Sequence, residues 1–285
     1  MKKILAVSGG VDSMVMLDMM RKRFPAEELV VATFDHGTRK SSRVDADFVS
    51  KIGSGYNLRV RKGKANLGEK VSEEVARKKR YEFLRKIAAE ENGEIYTAHH
   101  IDDLIESVAI NLSRGTGFRG LSVLTMRGVK RPFLDMTLGN IFDKRDILKY
   151  AAKNNVIFRH DPTNTSDSYL RNRLRPDVSV LTRETKNQIY QLWEKQTQVV
   201  KEIDKIVSEL IPDDLCFERM WFKNLNDEVC REILRAALAS VGVLATRPQI
   251  NDFLKAIREY SPTKMFNLPN DKLVRINRRD FTLKI

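Results

Sequence analysis

The chain has 285 residues, 42% of them hydrophobic, enough to bury an ordinary core in one large domain or two unequal ones. Its formal net charge of +13 points to a polyanionic partner, without choosing among nucleic acid, an anionic membrane and the ribosome. Cys216 and Cys230 match neither a metal spacing nor a disulfide framework, the apolar run after Met1-Lys2-Lys3 is too short for a signal peptide, and no stretch is long enough to span a bilayer, so a cytoplasmic chain with no membrane role is expected.

Residues 3–7 form a short β-branched run that predicts a strand, and 12–23 an amphipathic stretch that predicts a helix. The alternation continues with strands expected at 29–34, 58–61 and 94–98 and helices at 44–52 and 71–91. Helical segments of this length between strands imply βαβ crossovers and a parallel sheet covered on both faces. Ligands bind such sheets beyond the carboxyl ends of the strands.

Ser8-Gly9-Gly10-Val11-Asp12-Ser13 lies between the first strand and the first helix. Glycines there let backbone N–H groups approach an anion, the helix N-terminus favours negative charge, and the hydroxyls of Ser8 and Ser13 add donors. A Walker A loop would carry Lys directly after its last glycine, where this chain has Val11 and Asp12. The plainer alternative is a glycine turn with Asp12 or Ser13 as helix cap.

Glu73, Arg77 and Arg80 fall on one helix face, as surface ion pairs do. After the fourth strand, His99-His100-Ile101-Asp102-Asp103-Leu104-Ile105-Glu106 puts Asp103 and Glu106 three apart on one helix face at the ligand-binding edge. Two converging carboxylates suit an ammonium group or, with the histidines, a divalent metal; Asp102 and Asp103 equally suit a helix N-terminus. No further acid stands at ligand spacing near His36 or His160, so no dedicated transition-metal site is expected.

Gly115, Gly117 and Gly120 have dinucleotide-loop spacing but follow a helix-like segment, 104–112, where that motif needs a strand. Asp161 and Asn164 precede a dense cluster, Arg171-Asn172-Arg173-Leu174-Arg175, whose guanidinium groups suit bidentate phosphate binding or a structural network. Beyond about residue 180 the pattern turns to long helical periodicity at 187–210 and 228–239, and runs at 265–268, 272–276 and 281–285 predict a small terminal β-meander.

The hexapeptide at 8–13 matches the Ser-Gly-Gly-x-Asp-Ser signature and resembles the PP-loop ATP pyrophosphatases. Asp35-His36-Gly37-Thr38-Arg39 follows, then Glu73, Ala76, Arg77, Arg80 and Tyr81, then the His99 to Glu106 segment. After these come Asn111-Leu112-x-Arg114-Gly115-x-Gly117-x-x-Gly120-Leu121, Arg131-Pro132, and Asp161, Asn164, Arg171, Asn172 and Arg175. In order and spacing these motifs resemble the tRNA(Ile)-lysidine synthetase family over roughly residues 1–180. The chain departs at Asp35 (usually Asn), Thr38 (Leu), Leu104 (Gln), Ser107 (Thr) and Val123-Leu124 (Gly-Met), none of them a residue with assigned chemistry.

The resemblance implies an α/β fold, a parallel-sheet, Rossmann-like PP-loop domain at 1–182, followed by a smaller, mostly helical tRNA-binding domain at 183–285, shorter than in many members. It implies a ligase that uses ATP, with Mg2+ carried in by the nucleotide, to adenylate carbon 2 of the wobble cytidine in a CAU-anticodon isoleucine tRNA. Free L-lysine then displaces AMP. Ser8, Gly9, Gly10, Asp12 and Ser13 would take the ATP phosphates and magnesium, with His36 beside the nucleotide. Asp103 and Glu106 would take the lysine ammonium, with Asp102 as their neighbour, and Arg77, Arg114, Arg171 and Arg175 would take phosphate or the lysine carboxylate. The Cys-x-x-Cys pairs of cytidine-thiolating relatives are absent from the sequence. The alternatives left open are another PP-loop adenylating enzyme, acting on tRNA or a small molecule, and a catalytically silent RNA-binding module. Oligomeric state is also open, a homodimer included.

Overall fold

The computed structural model describes residues 1–37, 40–68, 71–159, 170–269 and 271–283, with backbone alone at 40–42, 73 and 170–172. They form two compact units, Met1–Gln196 and Thr197–Ile285.

The first unit alternates β1 (Lys2–Ala6), α1 (Val11–Arg23), β2 (Leu29–Asp35), α2 (Lys40–Gly55), β3 (Arg59–Lys64), α3 (Glu73–Glu90), β4 (Gly93–Tyr96) and α4 (Ile101–Ser113). After β5 (Val129–Lys130) come α5 (Lys144–Lys153), α6 (Leu170–Val180) and the first half of α7 (Arg183–Glu209), whose residues from Thr197 on fall in the second unit. The sheet runs β3-β2-β1-β4-β5, with every neighbouring pair parallel. Side chains alternate across it: Leu5 and Val31 enter a core with Leu17 and Phe133 on one face, and Ile4, Val30 and Ala32 enter a core with Tyr81, Leu84 and Ile87 on the other. Burial on both faces explains why β1 and β2 read as near-continuous apolar runs. A third cluster packs Ile101 and Leu104 of α4 against Val178 of α6 and Tyr190 of α7.

β1 sends the chain to β2 on one side, while β4 lies on the other. The connections leaving β1 and β4 therefore diverge, and a crevice opens beyond their carboxyl ends. Both helices that follow these strands start there.

The strands and helices expected up to residue 98 all exist, most of them extended by one to four residues at an end. Two elements were not expected. One is β5, whose two residues pair with Ile95 and Tyr96. The other is α5, which starts from Asp143: this side chain accepts the Asp146 N–H at 2.9 Å, and Asp146 accepts the Asp143 N–H at 3.1 Å.

The second unit carries β6 (Cys216–Glu218), α8 (Arg219–Asn224), α9 (Asp227–Ser240), α10 (Arg247–Glu259), β7 (Lys264–Leu268), β8 (Lys272–Ile276) and β9 (Asp280–Thr282). The meander forms as expected, and β6 adds an unforeseen fourth strand, giving the antiparallel order β6-β9-β8-β7. The last expected residues, 284 and 285, lie outside the described ones. The core centres on Phe281, whose ring stacks on Phe217 at 5.4 Å and meets Phe222 and Phe253 edge-on at 5.3 and 5.7 Å. Phe281→Ala is expected to cost the second unit about 3–5 kcal/mol, read as a lower urea midpoint.

Candidate active site

Gly9 adopts φ +90°, open to glycine at little cost, and Gly10 caps α1 in an extended conformation. The Ser8 N–H donates to Ser13 Oγ at 3.1 Å, and Ser13 Oγ donates back to the Gly10 carbonyl at 2.9 Å. Ser13 thus spends its hydroxyl holding the loop in shape, while the amides in the first turn of α1 lack partners within the helix and face outward as an anion site. The Gly9 carbonyl accepts the Arg159 N–H at 2.9 Å, and Arg159 Nε pairs with Asp45 at 2.5 Å, tying a distant segment to the loop.

The loop forms one wall of a cavity of about 440 Å³ at the β1/β4 crevice, a size suited to a nucleotide-scale ligand. Ser8, Gly9, Gly10, Asp12, Ser13, His36 and Asp103 of the expected residues line it, joined by Arg80, His99 and Arg159. His36 is set by an edge-on contact with Phe34 at 4.9 Å. The turn after it is fixed by Gly37, at φ +63° with its N–H on Asp35 Oδ1 at 2.9 Å. A side chain at Gly37 would meet the Ala65 carbonyl oxygen at 2.3 Å.

The three acids of α4 differ in setting. Asp103, with 24% of its side chain exposed, faces the cavity and accepts the His100 N–H through Oδ2 at 3.0 Å, so the helix-start alternative and the cavity role coexist. Asp102 is buried: Lys186 Nζ lies 2.6 Å from Oδ1, and the Lys144 N–H donates to Oδ2 at 2.9 Å. Glu106 is buried one turn further on, its Oε1 3.6 Å from Arg175 Nε. His100 sits among the acids, its Nε2 3.5 Å from Asp103 and 3.9 Å from Asp12.

On the basic side, Arg77 and Arg80 both pack over the Tyr81 ring, at 5.1 and 5.8 Å. Arg114 is instead the residue that ends α4, about 17 Å by helix rise from Asp103, and it is absent from the cavity wall. Thr38, Arg39, His160, Asp161, Asn164 and the side chains of Glu73, Arg171 and Asn172 lie outside the described residues. Lys144 is the residue the sequence passed over: its Nζ reaches Asp12 Oδ1 at 2.6 Å. Apart from its basic neighbour Arg145 nothing in the local sequence marks it, and nothing local connects positions 132 residues apart. Among the described residues no group of three or more His, Cys, Asp and Glu side chains is arranged to hold a metal ion, and no helix is long and apolar enough to cross a membrane.

Burial pushes the His99 imidazole down to about 4, with Arg131, Arg77 and Arg80 pushing the same way and Asp103 opposing, so this ring is neutral at pH 7. For Asp143, burial would raise the carboxyl, but the Asp146 N–H, Arg145 and Lys186 hold it well below the usual carboxylate range.

Residues 1–181 match the PP-loop domain family. A tRNA(Ile)-lysidine synthase of Thermotoga maritima is 37% identical over 192 residues, covering 64% of this chain and 45% of that protein. One from Thermosipho africanus is 33% identical over 238 residues, covering 79% and 54%. The chain spans about half the length of the curated relatives it matches. Among solved structures, the U34-tRNA thiolase NcsA of Methanococcus maripaludis, seen with its 4Fe–4S cluster, aligns with a TM-score of 0.54 at 19% identity, over 69% of this chain and 72% of that one, a likeness of fold.

Two outcomes follow from the geometry. Gly37→Ala is expected to lower stability by about 2 kcal/mol or more in thermal unfolding, because the obstacle is a backbone carbonyl and the residue sits at positive φ. His99 is neutral when folded and titrates near its ordinary 6.5 when unfolded, so its contribution is complete above 6.5 and is lost as pH falls toward 4. Lowering the pH from 7 to 5 is therefore expected to cost about 2 kcal/mol through this ring, a component that urea titrations of His99→Gln should lack.

Proposed function

This chain belongs to the PP-loop domain family, and on that premise we propose that it is a tRNA(Ile)-lysidine synthetase. The observation that carries the reading is the convergence on one cavity of the glycine loop at the start of α1 and the Asp103 carboxylate of α4. A nucleotide phosphate fits the first and an ammonium group the second.

In the proposed reaction the C2 oxygen of the wobble cytidine attacks the α-phosphorus of ATP, pyrophosphate leaves, and the oxygen becomes part of an AMP leaving group. A lysine amine then attacks C2, the C–N bond forms, the C–O bond to AMP breaks, and a neighbouring carboxylate takes the proton that the amine sheds. The first-turn amides of α1, with Lys144 and Arg80 beside them, offset the charge that builds as pyrophosphate departs. Magnesium arriving with ATP needs only one or two carboxylates besides the phosphates, and Asp12, 35% exposed on the cavity wall, fits that role. Asp103 and Glu106 take the lysine ammonium, and Arg175, 3.6 Å from Glu106, takes the lysine carboxylate. Arg77 serves phosphate, and Arg171 and Arg114 belong to the outer contacts with substrate. The net charge of +13 over the chain supports binding to a polyanion such as tRNA. A reaction on tRNA and ATP belongs in the cytoplasm.

Incubation with ATP, radiolabelled lysine and an isoleucine tRNA transcript bearing CAU, beside a methionine tRNA with the same anticodon, is expected to label the isoleucine tRNA alone. ATP turned over to AMP with neither tRNA labelled would overturn the assignment in favour of another PP-loop substrate. Asp103→Asn keeps an acceptor for the His100 N–H but loses the charge, so the KM for lysine is expected to rise roughly 10- to 100-fold, while ATP affinity changes little.

A further inference from the structure

Lys186, near the start of α7, is wholly buried and is not among the residues that line the cavity. Its ammonium is held by two carboxylates, Asp102 Oδ1 at 2.6 Å and Asp143 Oδ2 at 3.1 Å. Asp143 also accepts Arg145 Nε and Nη2, at 3.1 and 2.9 Å. A buried ion cluster of this kind is a poor way to gain stability, since apolar side chains of similar volume do as well. What distinguishes this one is its target: both carboxylates accept N–H groups in the first turn of α5, Asp143 from Asp146 and Asp102 from Lys144. Asp143 caps the helix that Lys144 begins, and Asp102, reaching over from α4, takes the Lys144 N–H on its second oxygen at 2.9 Å.

We infer that Lys186 is a positioning residue for the nucleotide site: acting through Asp102, it sets the direction of the Lys144 ammonium toward the phosphate loop. The chain of contacts is continuous. Lys186 fixes the rotation of the Asp102 carboxylate, Asp102 fixes the first peptide of α5, and from that peptide Lys144 Nζ reaches Asp12 Oδ1 at 2.6 Å. Without the ammonium at Lys186, Asp102 turns toward other donors, the first turn of α5 loosens, and Lys144 loses its aim. The same links join α4, which carries Asp103, to α5, so one buried charge registers both helices against α1.

The inference rests on the proposed ATP chemistry, and its test reads nucleotide affinity, which does not depend on lysine or tRNA. The probe is α,β-methylene-ATP, whose bridge between the α and β phosphorus atoms cannot be cleaved. It is titrated against the full chain, K144M, K186M and the double variant. Each single change is expected to weaken binding roughly tenfold, the effect of losing one charge-assisted contact with phosphate. The double variant is expected to bind no more weakly than K144M, because residues acting in series are not additive. Losses that multiply, or a folded K186M that binds like the unaltered chain, overturn the inference. Should K186M not unfold cooperatively, K186R keeps the charge in a shape too broad for the buried site and carries the same cycle: coupling with K144M supports the inference, and additivity or unaltered affinity overturns it. A coupled cycle in a chain that labels no tRNA overturns the functional assignment alone, and an additive cycle in a chain that makes lysidine overturns the inference alone.

Discussion

The geometry of this site depends on one constraint, the divergence of the chain after β1 and β4. Parallel strands need crossovers, and crossovers on opposite sides of two adjacent strands leave a gap that no side chain of the sheet can fill. Into that gap point the N-terminal ends of α1 and α4, each a concentration of backbone N–H groups. The two ends receive opposite treatment. That of α1 is left to glycines and stays open, whereas that of α4 is supplied with its own carboxylates, Asp102 and Asp103, and presents negative charge. A molecule bearing phosphates at one end and approached by an ammonium at the other fits this polarity.

The acids of α4 are chemically alike but stand in unlike surroundings. Asp103 keeps partial exposure at the cavity, Asp102 is committed to Lys186 and the α5 backbone, and Glu106 lies deeper beside Arg175. The adjacent pair therefore divides its work, one residue toward ligand and one toward framework. His99 carries a related lesson, because burial and three arginines keep it neutral beside a site rich in charge. It stays available as a hydrogen-bonding group, 2.9 Å from Thr97 Oγ1, without adding a further positive charge.

The second unit is organised on different terms, around aromatic packing. Phe217, Phe222, Phe253 and Phe281 build its centre, and the buried Arg219 closes it by donating to the carbonyls of Ile257, Tyr260 and Asn277. A guanidinium fits where two carbonyls at the end of α10 and one just past β8 converge.

Much of this was legible in the chain because the signals are local. Short β-branched runs separated by amphipathic stretches determined the strands, the helices between them and the parallel sheet, and the glycine hexapeptide marked the turn from β1 into α1. The three-residue spacing of Asp103 and Glu106 put both on one helix, but only the fold assigned them different depths. Short elements escaped: β5 has two residues, and α5 owes its start to an Asp143–Asp146 exchange the periodicity does not record. Lys144, Arg159 and Lys186 escaped for a deeper reason. Each acts on a residue more than 80 positions away, Lys144 on Asp12, Arg159 on Gly9 and Asp45, Lys186 on Asp102. Spacing along a chain reports neighbours within a turn of helix or along a strand, whereas contacts of this kind exist only once separate elements have packed.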